Sequence, residues 1–183
     1  PRWGETNMVV SLTCASEWLE TNRCVISYSD IVYPTATIRA VLKTKADIAI
    51  TYDTQWLDLW SQRFADPLSD AETFQINAEG HVTEIGNRPV GLDQIAGQYM
   101  GLLLFTPSGW QSAVGFLNGL SQAERDFLDM TSLLQNLIHG RTKVEAVPIR
   151  GSWYEVDSES DFRLYEAQIR AGGAAHWINR HDS

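Results

Sequence analysis

Apolar runs just long enough for a strand, each ending at or near an acid, recur along this chain and commit it to a fold built on a sheet. Cys24-Val-Ile-Ser-Tyr-Ser-Asp30, Asp47-Ile-Ala-Ile-Thr-Tyr-Asp53 and Val144-Glu-Ala-Val-Pro-Ile149, the last leading on to Asp157, share that form. Between the first two, Pro34 suits a first helical turn and residues 35–43 read as a helix. Strand–helix–strand spacing of this kind implies a right-handed crossover and a parallel pair, the ingredients of a doubly wound sheet. A carboxylate at a strand end can point into the crevice where open α/β sheets bind ligands. Asp30 and Asp157, far apart in sequence, are placed to meet across one crevice and hold a hard divalent cation.

The remaining segments fill in the same architecture. Residues 8–19 carry apolar side chains at helical spacing (Val9, Leu12, Ala15, Trp18, Leu19), with Thr6 or Asn7 as the N-cap. Residues 56–60 continue as a short amphipathic helix. Glu72-Thr-Phe-Gln-Ile-Asn and His81-Val-Thr-Glu-Ile-Gly86 read as a β-hairpin, an antiparallel excursion in the alternation. Residues 99–105 return as a buried strand. Helices follow over 107–120 and 124–139, the second stopped by Gly140. A last helix spans 159–171, Gly172-Gly173 ends it, and residues 172–183 form a loose tail. The expected whole is one α/β domain over 1–183, with a mixed, mostly parallel sheet and helices on both faces. A glycine-rich phosphate-cradling turn is not found before Arg23, so the first strand–loop–helix unit of such a sheet is expected to be missing.

Charge narrows the partners. A net charge of −9 argues against a binder of nucleic acid polymers, which needs a basic face. The longest apolar runs, such as Met100-Gly-Leu-Leu-Leu-Phe105, are too short to span a bilayer. Without a charged-then-apolar leader the chain is expected in the cytoplasm, with Cys14 and Cys24 as reduced core thiols. His81, His139, His176 and His181 have no mutual spacing that suggests a triad or zinc site.

Five motifs stand in a recognisable order: Ser27-Tyr-Ser-Asp30-Ile, Asp70-Ala-Glu72, Gly97-Gln-Tyr-Met-Gly-Leu102, Asp129-Met-Thr-Ser-Leu-Leu-Gln135 and Trp153-Tyr-Glu-Val-Asp157-Ser-Glu-Ser-Asp161. Through them the chain resembles the nucleotidyltransferases with a glycosyltransferase-A-like fold. It is most similar to the phosphocholine and 2-aminoethylphosphonate cytidylyltransferases, including the domain fused to phosphoenolpyruvate phosphomutases. The resemblance implies that Asp30 and Asp157 hold Mg²⁺ against the α-phosphate of CTP. It further implies attack by a small phosphorylated or phosphonylated amino-alcohol such as phosphocholine or 2-aminoethylphosphonate. Glu72, Asp53 and Trp56 match positions lining the acceptor side, and Trp153 and Tyr154 could cage an ammonium head group. The family's Gly-rich loop with its Arg and Lys has no counterpart here. A bare sheet edge or apolar groove is the expected consequence, with a homodimer as its natural cover.

Plainer uses compete with these roles. Asp157 could N-cap the helix that follows and Asp161 complement its dipole. Glu72 could simply open the hairpin, and Asp53 and Trp56 could be a cap and a core residue, like Trp18 and Trp60. Rival functions are a sugar-1-phosphate nucleotidyltransferase and a non-catalytic binding or assembly domain of the same fold.

Overall fold

A computed structural model describes residues 2–171. Expectations for Gly172-Gly173, the tail, His176 and His181 lie outside the described residues. In chain order the elements are helices α1 (Met8–Thr13) and α2 (Ser16–Leu19), strands β1 (Cys24–Ser27) and β2 (Ile31–Val32), helix α3 (Thr35–Lys43), strand β3 (Ile48–Asp53) and helix α4 (Trp56–Arg63). Strands β4 (Phe74–Ile76), β5 (Val82–Ile85) and β6 (Gln98–Phe105) follow, then helices α5 (Pro107–Leu117), α6 (Gln122–Phe127) and α7 (Met130–His139). Strands β7 (Glu145–Ile149) and β8 (Tyr154–Glu155) and helix α8 (Glu159–Arg170) complete the described chain. None of these helices is long and apolar enough to cross a membrane.

The main sheet has the order β1-β6-β3-β7. Strand β6 pairs antiparallel with both β1 and β3, while β3 and β7 pair in parallel. Three strands therefore run one way and β6 runs against them, which makes the sheet mixed, as expected. The expected direct pairing of β1 with β3 does not occur. Both run in the same direction, but β6, the longest strand, lies between them. Pro148 is accommodated because β7 lies at an edge of the main sheet, where a missing N–H is tolerated.

Period-two alternation sorts the core onto two faces. Ile48, Ile50, Leu103 and Phe105 pack with Val9 and Leu12 of α1, Trp110 of α5 and Leu133 and Leu137 of α7. Ala49, Met100, Leu102, Leu104 and Val147 pack with Val41 of α3, Trp56 and Trp60 of α4 and Tyr165 of α8. Helices thus cover both faces. Between Ile50 and Tyr52 the β3–β6 register slips, and Gly101 takes φ +78° there. A Cβ on Gly101 would lie 2.6 Å from the Tyr28 ring, so the bulge and the close approach of Tyr28 both require glycine. The hairpin forms as expected, β4 with β5, in its own two-stranded sheet.

Several local expectations are corrected. The first helix breaks at Cys14-Ala15, and Trp18, expected in the core, is 68% exposed. Trp60 is buried at 4%. Asn7 caps α1, its side chain accepting from the Met8 N–H. The expected helix over 124–139 is two helices, because Asp129 accepts from the Ser132 N–H and restarts the chain as the N-cap of α7. Cys14 and Cys24 are free thiols, but Cys14 is exposed rather than core.

Candidate active site

The two acids singled out above flank the other small sheet, Asp30 just before β2 and Asp157 two residues after β8. Strands β2 and β8 pair antiparallel, Ile31 opposite Glu155, and beyond the ladder the Val156 N–H donates to the Asp30 carbonyl at 2.9 Å. This bond brings Asp30, just before β2, opposite Val156, one residue short of Asp157 on the segment that leads from β8 into α8. Asp30 is exposed and its carboxylate makes no hydrogen bond among the described residues. The Asp157 side chain is 51% exposed and its Oδ2 accepts from Arg63 at 2.6 Å. No group of three or more His, Cys, Asp or Glu among the described residues could hold a metal ion unaided. Mg²⁺ commonly takes one or two carboxylates and completes its shell with water and substrate phosphate. The oxygen donors of Asp30 and Asp157 fit that ion.

Arg63, at the last turn of α4, was not singled out in the sequence. Its side chain is 1% exposed and meets Glu155 at 2.6 Å, Asp157 at 2.6 Å and Asp161 at 2.9 Å. Burial works against its charge, but the hydrogen bonds to Asp161, Glu155 and Asp157 more than offset this and raise its pKa. Burial also works against the charge of Asp161, yet Arg63 and Ser158 hold its pKa below the usual carboxylate value. Glu155 moves the other way, to about 7, through burial first and then the charge of Asp157, with Asp30 adding to it. The N-cap of α8 is Ser158, not Asp157. Ser158 forms a capping box with Asp161, which leaves the Asp157 carboxylate out of the helix cap.

Asp53 and Trp153 act together, behind the surface. Gly151 and Ser152 both take left-handed backbone, φ 53° and 62°, and turn the chain between β7 and β8 back toward β3. The Gly151 N–H then donates to Asp53 Oδ1 at 2.7 Å, and the Trp153 indole N–H donates to Oδ2 at 2.9 Å. A third donor, the Gln55 N–H, reaches Oδ1 at 2.8 Å. Asp53 is 1% exposed, Trp153 2% and Trp56 5%. The expected ammonium cage on Trp153 is therefore corrected: a large apolar ring with one polar tip fills the core and satisfies the tip on Asp53. Tyr154 is half-buried against Tyr165, ring centres 4.4 Å apart.

Glu72 lies in a second cluster. Its Oε1 is 3.5 Å from the Thr131 hydroxyl, which also reaches Asp129 at 3.2 Å. Burial, then the charge of Asp129, lifts Glu72 to about 6. Tyr28 connects the clusters: burial raises its pKa, and the charges of Glu72, Asp129 and Asp30 all add to the rise. Tyr99 packs edge-on against Tyr28, ring centres 5.9 Å apart. Tyr28 and Asp30 also line one end of a mainly apolar groove of about 680 Å³ that runs along β1, between it and α1, α2 and Met130. Strand β1 is the outer strand of the main sheet on that side.

No family model matches the chain. The chain is 35% identical to a CTP:phosphoglutamine cytidylyltransferase of Campylobacter jejuni, over a 177-residue alignment that covers 89% of this chain and 68% of that protein. Among solved structures, the inositol-1-phosphate CTP transferase of T. maritima superposes with a TM-score of 0.67 at 18% identity, over 92% of this chain and 64% of that one. A Bacillus anthracis protein assigned as a glucose-1-phosphate thymidylyltransferase superposes with a TM-score of 0.64 at 12% identity, over 96% of this chain and 63% of that one. The chain thus spans just under two thirds of each solved chain, and at these identities the two structures speak for the fold alone. The extent and identity of the match to the Campylobacter jejuni protein, on the mixed sheet those structures share, show that this chain belongs to the nucleotidyltransferase family.

Proposed function

We propose that this protein transfers a cytidylyl group from CTP to a small phosphorylated or phosphonylated acceptor, with Mg²⁺ bound by Asp30 and Asp157. The observation that supports the reading is the β2–β8 ladder, which joins the segment bearing Asp30 to the segment bearing Asp157 through the Val156 N–H bond to the Asp30 carbonyl. In the reaction an acceptor oxygen attacks the α-phosphorus, a new P–O bond forms, and the bond to the departing pyrophosphate breaks. Bound Mg²⁺ would supply charge neutralisation on the phosphates. The protein's own work is positioning, with little need of a base. Asp30 and Asp157 present oxygen donors, Asp53 holds the loop behind them with Trp56 buried in the core cluster that also contains Trp153, and Glu72 with Asp129 offers negative charge to an acceptor amine.

Phosphocholine, 2-aminoethylphosphonate and phosphoglutamine, the last named for the Campylobacter jejuni relative, are the acceptors to try, with a sugar 1-phosphate as the rival arm. CTP and Mg²⁺ titrated into the protein by calorimetry should give heat, and one of the amine-bearing acceptors should then release pyrophosphate. Neither heat nor pyrophosphate would leave the fold as a non-catalytic binding or assembly domain, inactive as this chain. Turnover of the sugar phosphate alone would reassign the acceptor. A homodimer covering the β1 edge belongs to the same proposal, and sedimentation velocity tests it.

A further inference from the structure

Asp157 lies in the segment between β8 and α8 and is half exposed, so left alone its carboxylate would sample several rotamers. Arg63 removes that freedom. Its guanidinium is itself fixed from several sides: Asp161 on Nε, Glu155 on Nη1, and the rings of Trp60 and Phe64 with centres 5.5 and 5.0 Å from Cζ. Asp161 is in turn held by the Ser158 hydroxyl and backbone N–H at 2.8 and 3.0 Å. The chain of contacts ends on Asp157 Oδ2 alone and leaves Oδ1 without a hydrogen bond among the described residues.

We infer that Arg63 is a positioning residue for metal binding: anchored in the core by Glu155 and Asp161, it holds one oxygen of Asp157 so that the other is presented to the cation. The inference rests on the reading that Asp30 and Asp157 bind Mg²⁺. A buried cation beside a metal site would ordinarily repel the ion. Here Asp157 and Asp161 outnumber the guanidinium, and Asp30 on the neighbouring strand segment adds to them, so the surroundings stay negative. Outer contacts that orient a metal ligand commonly contribute 10- to 100-fold in metal affinity.

The discriminating variant is Arg63→Lys. A neutral replacement would remove both the orientation and the repulsion, two effects of opposite sign, whereas lysine keeps the charge and loses the planar fork. Mn²⁺ serves as the probe, its binding followed by electron paramagnetic resonance in the presence of CTP, with Asp157→Asn measured alongside. Asp161→Asn, nearly the same shape, loosens the Arg63 anchor from the other side and remains available if Arg63→Lys does not fold. Expected are a loss of about tenfold or more in Mn²⁺ affinity for Arg63→Lys and a several-fold loss for Asp161→Asn. Both should retain cooperative unfolding, which a merely structural fault would erode first. If Asp157→Asn loses Mn²⁺ while both other variants bind it as tightly as the unaltered protein, the positioning role is wrong and the metal site stands. If Asp157→Asn and the unaltered protein bind alike, the metal site itself falls, and this role with it.

Discussion

Asp53→Asn tests the claim that a buried carboxylate, rather than hydrophobic packing alone, holds the loop behind the site. The carboxylate accepts from the Gln55 and Gly151 N–H groups on one oxygen and from the Trp153 indole on the other. An amide has one acceptor oxygen and a donor NH2. Its better orientation keeps the two backbone bonds and turns the NH2 against the Trp153 N–H, donor facing donor. A lost bond to a charged group is worth about 1.5–3 kcal/mol, and an orphaned buried donor costs about 1–3 kcal/mol. Removing the charge offsets part of this, since a neutral amide is easier to bury than a carboxylate.

We therefore expect a net destabilisation of about 2–3 kcal/mol, after that relief. Urea unfolding measures it, through a shift in midpoint at constant slope. Trp153→Phe removes the indole donor and should be costly alone. In the double variant no indole is left to be orphaned, so the two effects should fall short of their sum by about 1 kcal/mol. Asp53→Asn within about 0.5 kcal/mol of the unaltered protein, or simple additivity in the cycle, would refute the reasoning.

Two further expectations follow from the same structure. Glu72 is lifted from 4.5 to about 6, chiefly by burial and then by Asp129. A carboxyl whose folded pKa exceeds its unfolded one contributes stability that is complete below about 4.5 and lost as pH rises through 6, at most about 2 kcal/mol. Glu155, lifted to about 7, acts in the same direction. Thermal unfolding between pH 4.5 and 7 should therefore fall less steeply for Glu72→Gln than for the unaltered protein, and parallel curves would refute the assignment. Gly101→Ala places a Cβ against the Tyr28 ring at a φ of +78°. Left-handed backbone alone costs about 1–2 kcal/mol, and the clash adds to it, so the urea midpoint should drop by the equivalent of about 2–4 kcal/mol; a smaller change than 1 kcal/mol would mean the bulge relaxes.

What the sequence reveals depends on how far apart in the chain the deciding groups lie. Strand β3 and helix α3 are legible because their signals are local: an unbroken apolar run, and Pro34 ahead of a periodic segment. Trp18 follows the same periodicity and still ends outside, because the break at Cys14-Ala15 resets the helical phase, and neither residue is a strong breaker. The place of β6 between β1 and β3 is not written in any one segment. Residues 24–27 and 48–50 each find their partners in 102–105, and nothing in either run says which neighbour the sheet will choose. The site divides along the same line. Asp30 and Asp157 stand out as acids closing apolar runs. The signal for Arg63 was present only as a question, since acids at 155, 157 and 161 crowd one turn and demand a cation. The answer lies 92 to 98 residues away, and only the packing of α4 against the start of α8 supplies it. A clustered charge without a local counterpart is therefore a statement about topology, and here it names the contact that orders the candidate site.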